Sequence, residues 1–332
     1  MIAFSRSRYI TLTISTIMVL LSVLSLVLFR LNPGIDFTGG TEIMIQTSLD
    51  QQRIREAILT PSPETEMPAD DEALAENEMN DDGAQAREVL NDDGELNTAT
   101  APFIPNEEDL QVRSLQPNQW GVRMQAVSQL ELDEVLARLE KQDAAIVVLQ
   151  SQTVGPLVGE EVLVKAGWAI GLAAIGILLL IASRFSELRF GVSAVIAMLH
   201  DSIIVLGVFS ALGAWLAVEV DLLFVTAILT VMSFSVHDTI VVFDRIRELR
   251  AEKLGRPFAY LVDLALTQNF TRSINNSLTM IFMLIVLWLL GGDSIRWFVF
   301  ALLLGTVIGT YSSAFVATPV LIVWGERVGR KR

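Results

Sequence analysis

The 332-residue chain is 52% hydrophobic with a mean hydropathy of +0.50, which points to an integral membrane protein rather than a soluble domain. It has no cysteine and two histidines, which excludes disulfides, thiol chemistry and cysteine-based metal sites and argues against zinc. The net charge of −14 is concentrated in Pro61–Asp109, where 16 Asp or Glu accompany one basic residue, Arg87, so the acidity belongs to an insert and the rest of the chain is nearly neutral.

The first apolar stretch, Tyr9–Phe29, is long enough for the roughly 20 helical residues that cross a hydrocarbon core. Arg6 and Arg8 precede it as in a signal peptide, but the run is longer than a signal core and FRLNPG offers no small-x-small cleavage site, so a retained anchor is expected. NPGIDFTGGTEI follows, Asn32–Ile43. It lacks the Lys-Ser/Thr of a phosphate loop and runs into a strand, so the pair Gly39-Gly40 reads as a tight chain reversal capped by Asp36.

TEIMIQT alternates as a strand, and Leu49–Leu59 has helical spacing at Ile54, Ile58 and Leu59. The acidic insert, residues 61–108, has the composition of a disordered, solvated loop, with a tail that binds a basic or unfolded partner as the alternative. DLQVRSL and WGVRMQAV flank QPNQ as a hairpin. Leu130–Gln142 sets Leu132, Val135, Leu136 and Leu139 on one helical face, and AAIVVLQSQTV ends the segment as a strand. The order βαββαβ predicts a small α+β, ferredoxin-like domain over residues 31–161.

Five further spans follow: Val164–Ala182, Gly191–Leu216, Leu222–Val242, a short Ser277–Leu290, and Trp297–Trp324. The fold class is therefore an α-helical membrane protein of six transmembrane helices plus the small domain. Residues 1–30 carry the N-terminus and first helix, 162–325 a five-helix bundle, and 326–332 a basic tail. Lys and Arg gather before the first span, between the second and third, after the fourth and at the C-terminus. This bias places both termini in the cytoplasm and residues 31–161 outside it.

A charge at mid-bilayer costs about 2.5–3.5 kcal/mol on insertion scales, so the polar residues inside the spans are informative. His200-Asp201 interrupts the third span and His237-Asp238 the fourth, and Arg272 stands near the start of the fifth, with Asn275 and Asn276 close behind. Helical neighbours point about 100° apart, so His237 and Asp238 face different ways. Thr226, Thr230, Ser233 and His237 form a polar stripe that lipid would leave unsatisfied. The hydroxyls read as helix-packing groups, and for His200 and His237 packing and proton transfer both remain open. Asp238, midway along an apolar helix, is the proton-carrier candidate, and an approaching Arg272 would switch it between proton-bound and proton-free states. Asp201, Thr239 and Asn275 join the two histidines as candidates for a proton path or polar network. Asp244 and Arg245 in FDRIRE are expected to end the fourth helix and form ion pairs. Gly305, Gly309, Ser313 and Ala317 recur every four residues as a small-residue packing stripe.

Six segments in order, GIDFTGGTEI, TVGPLVGEE, MLHD, SVHDTIVVFDRIRE, LTQNFTRSINNSLT and GTVIGTYSSAFVATPVL, resemble the SecD/SecF family of the bacterial protein translocase, on its SecF side, over nearly the whole chain. The resemblance implies a resistance-nodulation-division-type accessory subunit of the inner membrane that uses proton-motive force to assist late preprotein export. It implies SecD as obligate partner, with the Sec translocon channel, the translocating preprotein and the lipid bilayer as further partners. Protons would be the coupling ion, with no other cofactor, no metal and no nucleic acid. Asp238 and Arg272 match the family's acid and arginine implicated in proton transport, and His237 replaces the motif's usual Asn. A proton-coupled small-molecule exporter and a passive assembly factor are the alternatives. No enzyme is expected, since the chain shows no thiol, nucleotide loop or nucleophile–base pair.

Overall fold

Arg8–Phe29 form a 22-residue helix, α1, about 33 Å long at the α-helical rise and therefore able to cross a bilayer core. The structure, a computed structural model, describes residues 4–60, 86–90, 96–100, 104–106, 109–185, 187–252 and 255–329. They divide into two compact units, Ile35–Glu161 and the remainder of the chain.

The Ile35–Glu161 unit begins with a single turn, α2 (Ile35–Thr38), then β1 (Gly40–Gln46) and α3 (Gln51–Leu59). After β2 (Ala86–Leu90) and β3 (Leu96–Thr100) come β4 (Gln111–Gln116), β5 (Gln119–Met124), α4 (Gln129–Gln142) and β6 (Val147–Val154). Strands β4-β5-β1-β6, in that spatial order, make one antiparallel sheet. Alternation along β1 and β5 buries Ile43, Ile45, Val122 and Met124 against Ile54 and Ile58 of α3 and Val135 and Leu139 of α4, the side-chain period of two meeting the helical period. Each helix starts on a cap: Asp50 accepts the Arg53 amide at 2.9 Å, and Ser128 and Glu131 form a reciprocal capping box.

Gly39 and Gly40 lie at φ +72° and +126°, a region that disfavours any side chain, and a Cβ on Gly39 would fall 2.7 Å from the Pro156 backbone. The chain reversal at Gly39 and Gly40 is as expected. Asp36 lies within α2, and its carboxylate accepts the Gln152 side-chain amide of β6 at 2.9 Å, which ties α2 to the sheet. The insert departs from the reading of continuous disorder. Residues 86–90 and 96–100, AREVL and LNTAT, pair as antiparallel strands β2 and β3. Residues 61–85, 91–95, 101–103 and 107–108 of the insert lie outside the described residues.

The other unit contains α1 with α5 (Pro156–Arg184) from Val162 onward, α6 (Leu188–Leu216), α7 (Leu222–Ala251), α8 (Phe258–Leu290), α9 (Asp293–Ser312), a π-helical turn (Ser313–Ala317) and α10 (Thr318–Gly329). Among the described residues, six helical segments are long and apolar enough to cross a membrane; this is a multi-pass membrane protein. Three helices outrun their expected limits, α5 beginning at Pro156 instead of Val164. The helix α8 extends back through Arg272 to Phe258, and α7 continues through Asp244 and Arg245 to Ala251, so FDRIRE does not end it. No proline or glycine interrupts that run, and its ion pairs sustain the helix.

The centre of this unit is α6, α7 and α9. The most apolar windows of α6 and of α7 are 61% and 50% buried, whereas those of α5 and α8 are 6% buried and present their apolar faces outward. Close approach of α1 to α6 depends on Gly207, where a Cβ would lie 2.5 Å from the Ser22 Cα. Ser25 donates to the Gly207 carbonyl at 2.9 Å and Ser210 to the Ser25 carbonyl at 3.0 Å, the hydroxyl pairing that membrane helices use in place of a hydrophobic driving force.

Candidate functional site

Asp221 caps α7 by accepting the Phe224 amide at 2.7 Å and so sets the rotational phase of the helix. From there Phe224, Ile228, Val231, Ser235, Asp238 and Val242 recur at intervals of four and three and are all buried. Asp238 is thus a member of the inward face, 5% exposed. Thr226, Thr230, Ser233 and His237, the polar stripe seen in the sequence, are all exposed on the outward side of α7. His237 and Asp238 accordingly serve different surfaces.

The Asp238 carboxylate lies against α9 and α8. Its Oδ2 accepts a long, weak hydrogen bond of 3.4 Å from Ser313, the first residue of the π turn, and Ser273 of α8 contributes a further hydroxyl beside it. Thr239, expected as part of the network, is buried but donates to the Ser235 carbonyl at 2.9 Å within its own helix. The Ser235 hydroxyl, one turn before Asp238, is buried without a hydrogen-bond partner.

A second carboxylate stands one residue of α9 away. Asp201 of α6 is fully buried, accepts Ser312 at 2.6 Å on Oδ2 and lies 2.8 Å from His200 Nδ1 on Oδ1. The His200 ring is 6.4 Å from that of Tyr311, whose hydroxyl meets Ser15 of α1 at 2.9 Å, and His200 Nε2 is buried without a partner. His200 and Asp201, polar candidates in the sequence, are therefore neighbours of Asp238 through consecutive serines, Ser312 and Ser313. Ser313 was visible in the sequence only as a packing residue, and Ser312 and Tyr311 did not stand out, since hydroxyls are common in membrane helices and a π turn has no periodic signal.

Arg272 is not part of this cluster. It is exposed and lines a cleft of about 940 Å³ with Arg184, Asp244, Arg245, Arg247, Glu248, Gln268 and Asn269. No ion pair links it to Asp238 among the described residues. Asn275 is likewise exposed, its carbonyl accepting Thr279 at 2.8 Å. Around the cleft, Arg184 and Arg247 hold Asp244 at 2.8 and 3.3 Å, and Arg245 reaches Glu248 at 2.5 Å and Gln268 at 2.7 Å. Close by, Glu187 accepts Arg250 and pairs with Arg189. Burial pushes the Glu187 carboxyl up, but the Arg250 hydrogen bond and the Arg189 charge outweigh it and hold the group below its ordinary value. The ion pairs expected of Asp244 and Arg245 do form.

Of the small-residue stripe, Gly305 faces Val231, whose side chain a Cβ there would overlap, and Gly309 faces Asp201 and Ser235 at 3.7 Å. Ser313 and Ala317 are buried within the π turn. Small residues thus admit α7 and α6 to α9 at the level of both carboxylates.

The chain matches the family model for protein export membrane protein SecD/SecF, C-terminal, over residues 134–327, and that for the SecD/SecF GG motif over residues 24–48. The protein translocase subunit SecF of Thermobaculum terrenum is 36% identical, over 98% of this chain and 95% of its own. The SecF subunit of Rhodothermus marinus is 34% identical, over 99% of this chain and 95% of its own. The crystal structure of SecDF, a translocon-associated membrane protein from Thermus thermophilus, aligns with a TM-score of 0.73 at 27% identity. That match covers 97% of this chain and 38% of that longer one.

Proposed function

This chain belongs to the SecD/SecF protein export family, and on that footing we propose that it is a SecF-type accessory subunit which, with SecD, uses proton-motive force to assist late preprotein translocation and release. The observation that carries the proposal is Asp238, a carboxylate 5% exposed within a 30-residue apolar helix, met by hydroxyls and not by a cation. Such a group is costly unless it has a function, and a proton neutralises it. One charge crossing about 100 mV releases about 2.3 kcal/mol, enough for a modest conformational step.

On the outward stripe Thr226 and Thr230 donate to carbonyls of their own helix at 3.0 and 2.8 Å, but the exposed His237 ring would find no partner in lipid, which supports a partner chain at this face. SecD is that partner in this reading. The arginines near α7 and α5 support a reading in which that end faces the cytoplasm across the inner membrane, with Ile35–Glu161 in the periplasm. Its strand order supports a ferredoxin-like domain. Arg272, in the cleft, is the group that approaches Asp238 in another state of the cycle. The coupling ion is the proton, no metal or other cofactor takes part, and the chain is not an enzyme.

The test is export of an arrested preprotein into sealed membrane vesicles containing the translocon, with SecD and this chain present or omitted. A gradient-dependent acceleration only when both are present is expected. Equal acceleration without this chain overturns the proposal, and a gradient-independent requirement for it identifies an assembly factor instead.

A further inference from the structure

The Ser312–Ser313 pair gives each of the two buried carboxylates a hydroxyl with a second choice of acceptor. Ser312 lies 2.6 Å from Asp201 Oδ2 and 3.2 Å from the Gly309 carbonyl. Ser313 lies 3.4 Å from Asp238 Oδ2 and 3.3 Å from the Thr310 carbonyl. Both serines sit where α9 passes into the π turn, a local widening whose alternative is ordinary α-helix and which recurs at functional sites. An ionised Asp238 attracts the Ser313 hydroxyl, and a protonated one competes less for it with the Thr310 carbonyl, which is already within reach.

We propose that His200 and Asp201 form a second proton-holding site, linked to Asp238 through the Ser312–Ser313 turn. This inference rests on the proton-coupled reading of Asp238. The entering proton binds His200 Nε2, which is buried and unpartnered, while Nδ1–H remains donated to Asp201 Oδ1. The neutral imidazole beside a carboxylate thus becomes an imidazolium–carboxylate pair, with one proton bound and one positive charge gained.

The ionisable groups around the pair are few. Tyr311 of α9 faces the imidazole, α1 offers the neutral Ser15, and α7 offers Asp238 beyond the serines with His237 next to it on the outward face. On α8, Ser273 is neutral and Arg272 opens into the cleft. Among the described residues no lysine or arginine pairs with either carboxylate. The charge state of Asp238 is therefore a principal influence on the His200–Asp201 pair.

The chain has two histidines, so a His237→Asn variant carries one imidazole, and ¹⁵N-histidine labelling then reports His200 alone. The full chain, labelled and reconstituted in bilayers with unlabelled SecD, is titrated by solid-state NMR. The His200 signal is expected to titrate, with a midpoint that moves by about one pH unit or more when Asp238→Asn is added, as for directly interacting sites. Ser313→Ala, which removes only the link, is expected to move it as well and serves if the Asp238 variant does not fold. A His200 signal that does not titrate, or titrates identically in all variants, overturns the inference. Because the readout is independent of export, such a result leaves the proton-coupled function standing. Gradient-dependent export that survives Asp238→Asn defeats that function instead.

Discussion

Arg272 and Asp238 stand on contacting helices, α8 and α7, without forming an ion pair. The arginine opens into the cleft beside Asp244, while the carboxylate is turned inward to Ser313. Ser273, the next residue after Arg272, is the one beside Asp238. A rotation or slide of α8 on α7 therefore suffices to exchange a neutral hydroxyl for a guanidinium at the carboxylate. The expectation is that Arg272→Met leaves the complex with SecD intact but removes the gradient-dependent part of export. Co-purification together with export rates in vesicles checks this, and loss of co-purification would make the arginine an assembly residue.

Gly305 admits Val231 between α9 and α7 with no room for another carbon. Gly305→Ala is expected to destabilise the bundle by about 1–3 kcal/mol through overpacking. Adding Val231→Ala should recover most of the loss, because the two residues share one contact. Thermal unfolding in detergent of the two single variants and the double variant gives the comparison.

The N-terminal turn, Phe4–Ser7, is hydrogen-bonded to α8 through Asp263, and the Phe4 ring meets Phe270 of the same helix at 6.0 Å. Asp263 accepts the Ser5 amide at 2.7 Å and its hydroxyl at 2.6 Å. Asp263→Ala is expected to loosen the turn at a cost of about 1 kcal/mol, the usual magnitude for losing a hydrogen bond that solvent can partly replace. Hydrogen exchange at residues 4–8 should rise while α6 and α7 keep their protection.

In the Ile35–Glu161 unit, Asp143 binds the Thr47 hydroxyl at 2.6 Å and the Ala145 and Ser48 amides at 3.0 and 3.1 Å. The Thr47 bond, followed by those amides, lowers its pKa from 3.8 to about 2. A folded value below the unfolded one means that the carboxylate stabilises the fold fully above the unfolded value, and that this contribution disappears as pH falls through 3.8 to about 2. Protection of the Ser48 and Ala145 amides, corrected for intrinsic rates, should fall in that window, and Asp143→Asn should abolish the pH dependence.

Much of the fold was legible because its determinants are local. The six spans, the β4–β5 hairpin, and the α3 and α4 faces built on Ile54, Ile58, Val135 and Leu139 all follow from hydropathy and period. The reach of α7 and α8 was not legible, because charged and polar helical turns beyond a bilayer's thickness look like loop. The candidate site divides the same way. Asp238 and Asp201 are conspicuous as acids in apolar runs. That they meet through Ser312 and Ser313 depends on tertiary packing and on a π turn, to which no spacing in GTYSSAFVA points. The polar stripe was visible, but its outward direction is set by the phase of α7 against α6 and α9, which a single helix does not reveal.

The most direct measurement is the rate at which a preprotein arrested midway completes export in vesicles carrying the translocon, SecD and the Asp238→Asn chain, with and without a proton gradient. The variant should co-purify with SecD and complete export at the gradient-free rate under both conditions. An assembled variant that still responds to the gradient like the unaltered chain would contradict proton coupling through Asp238.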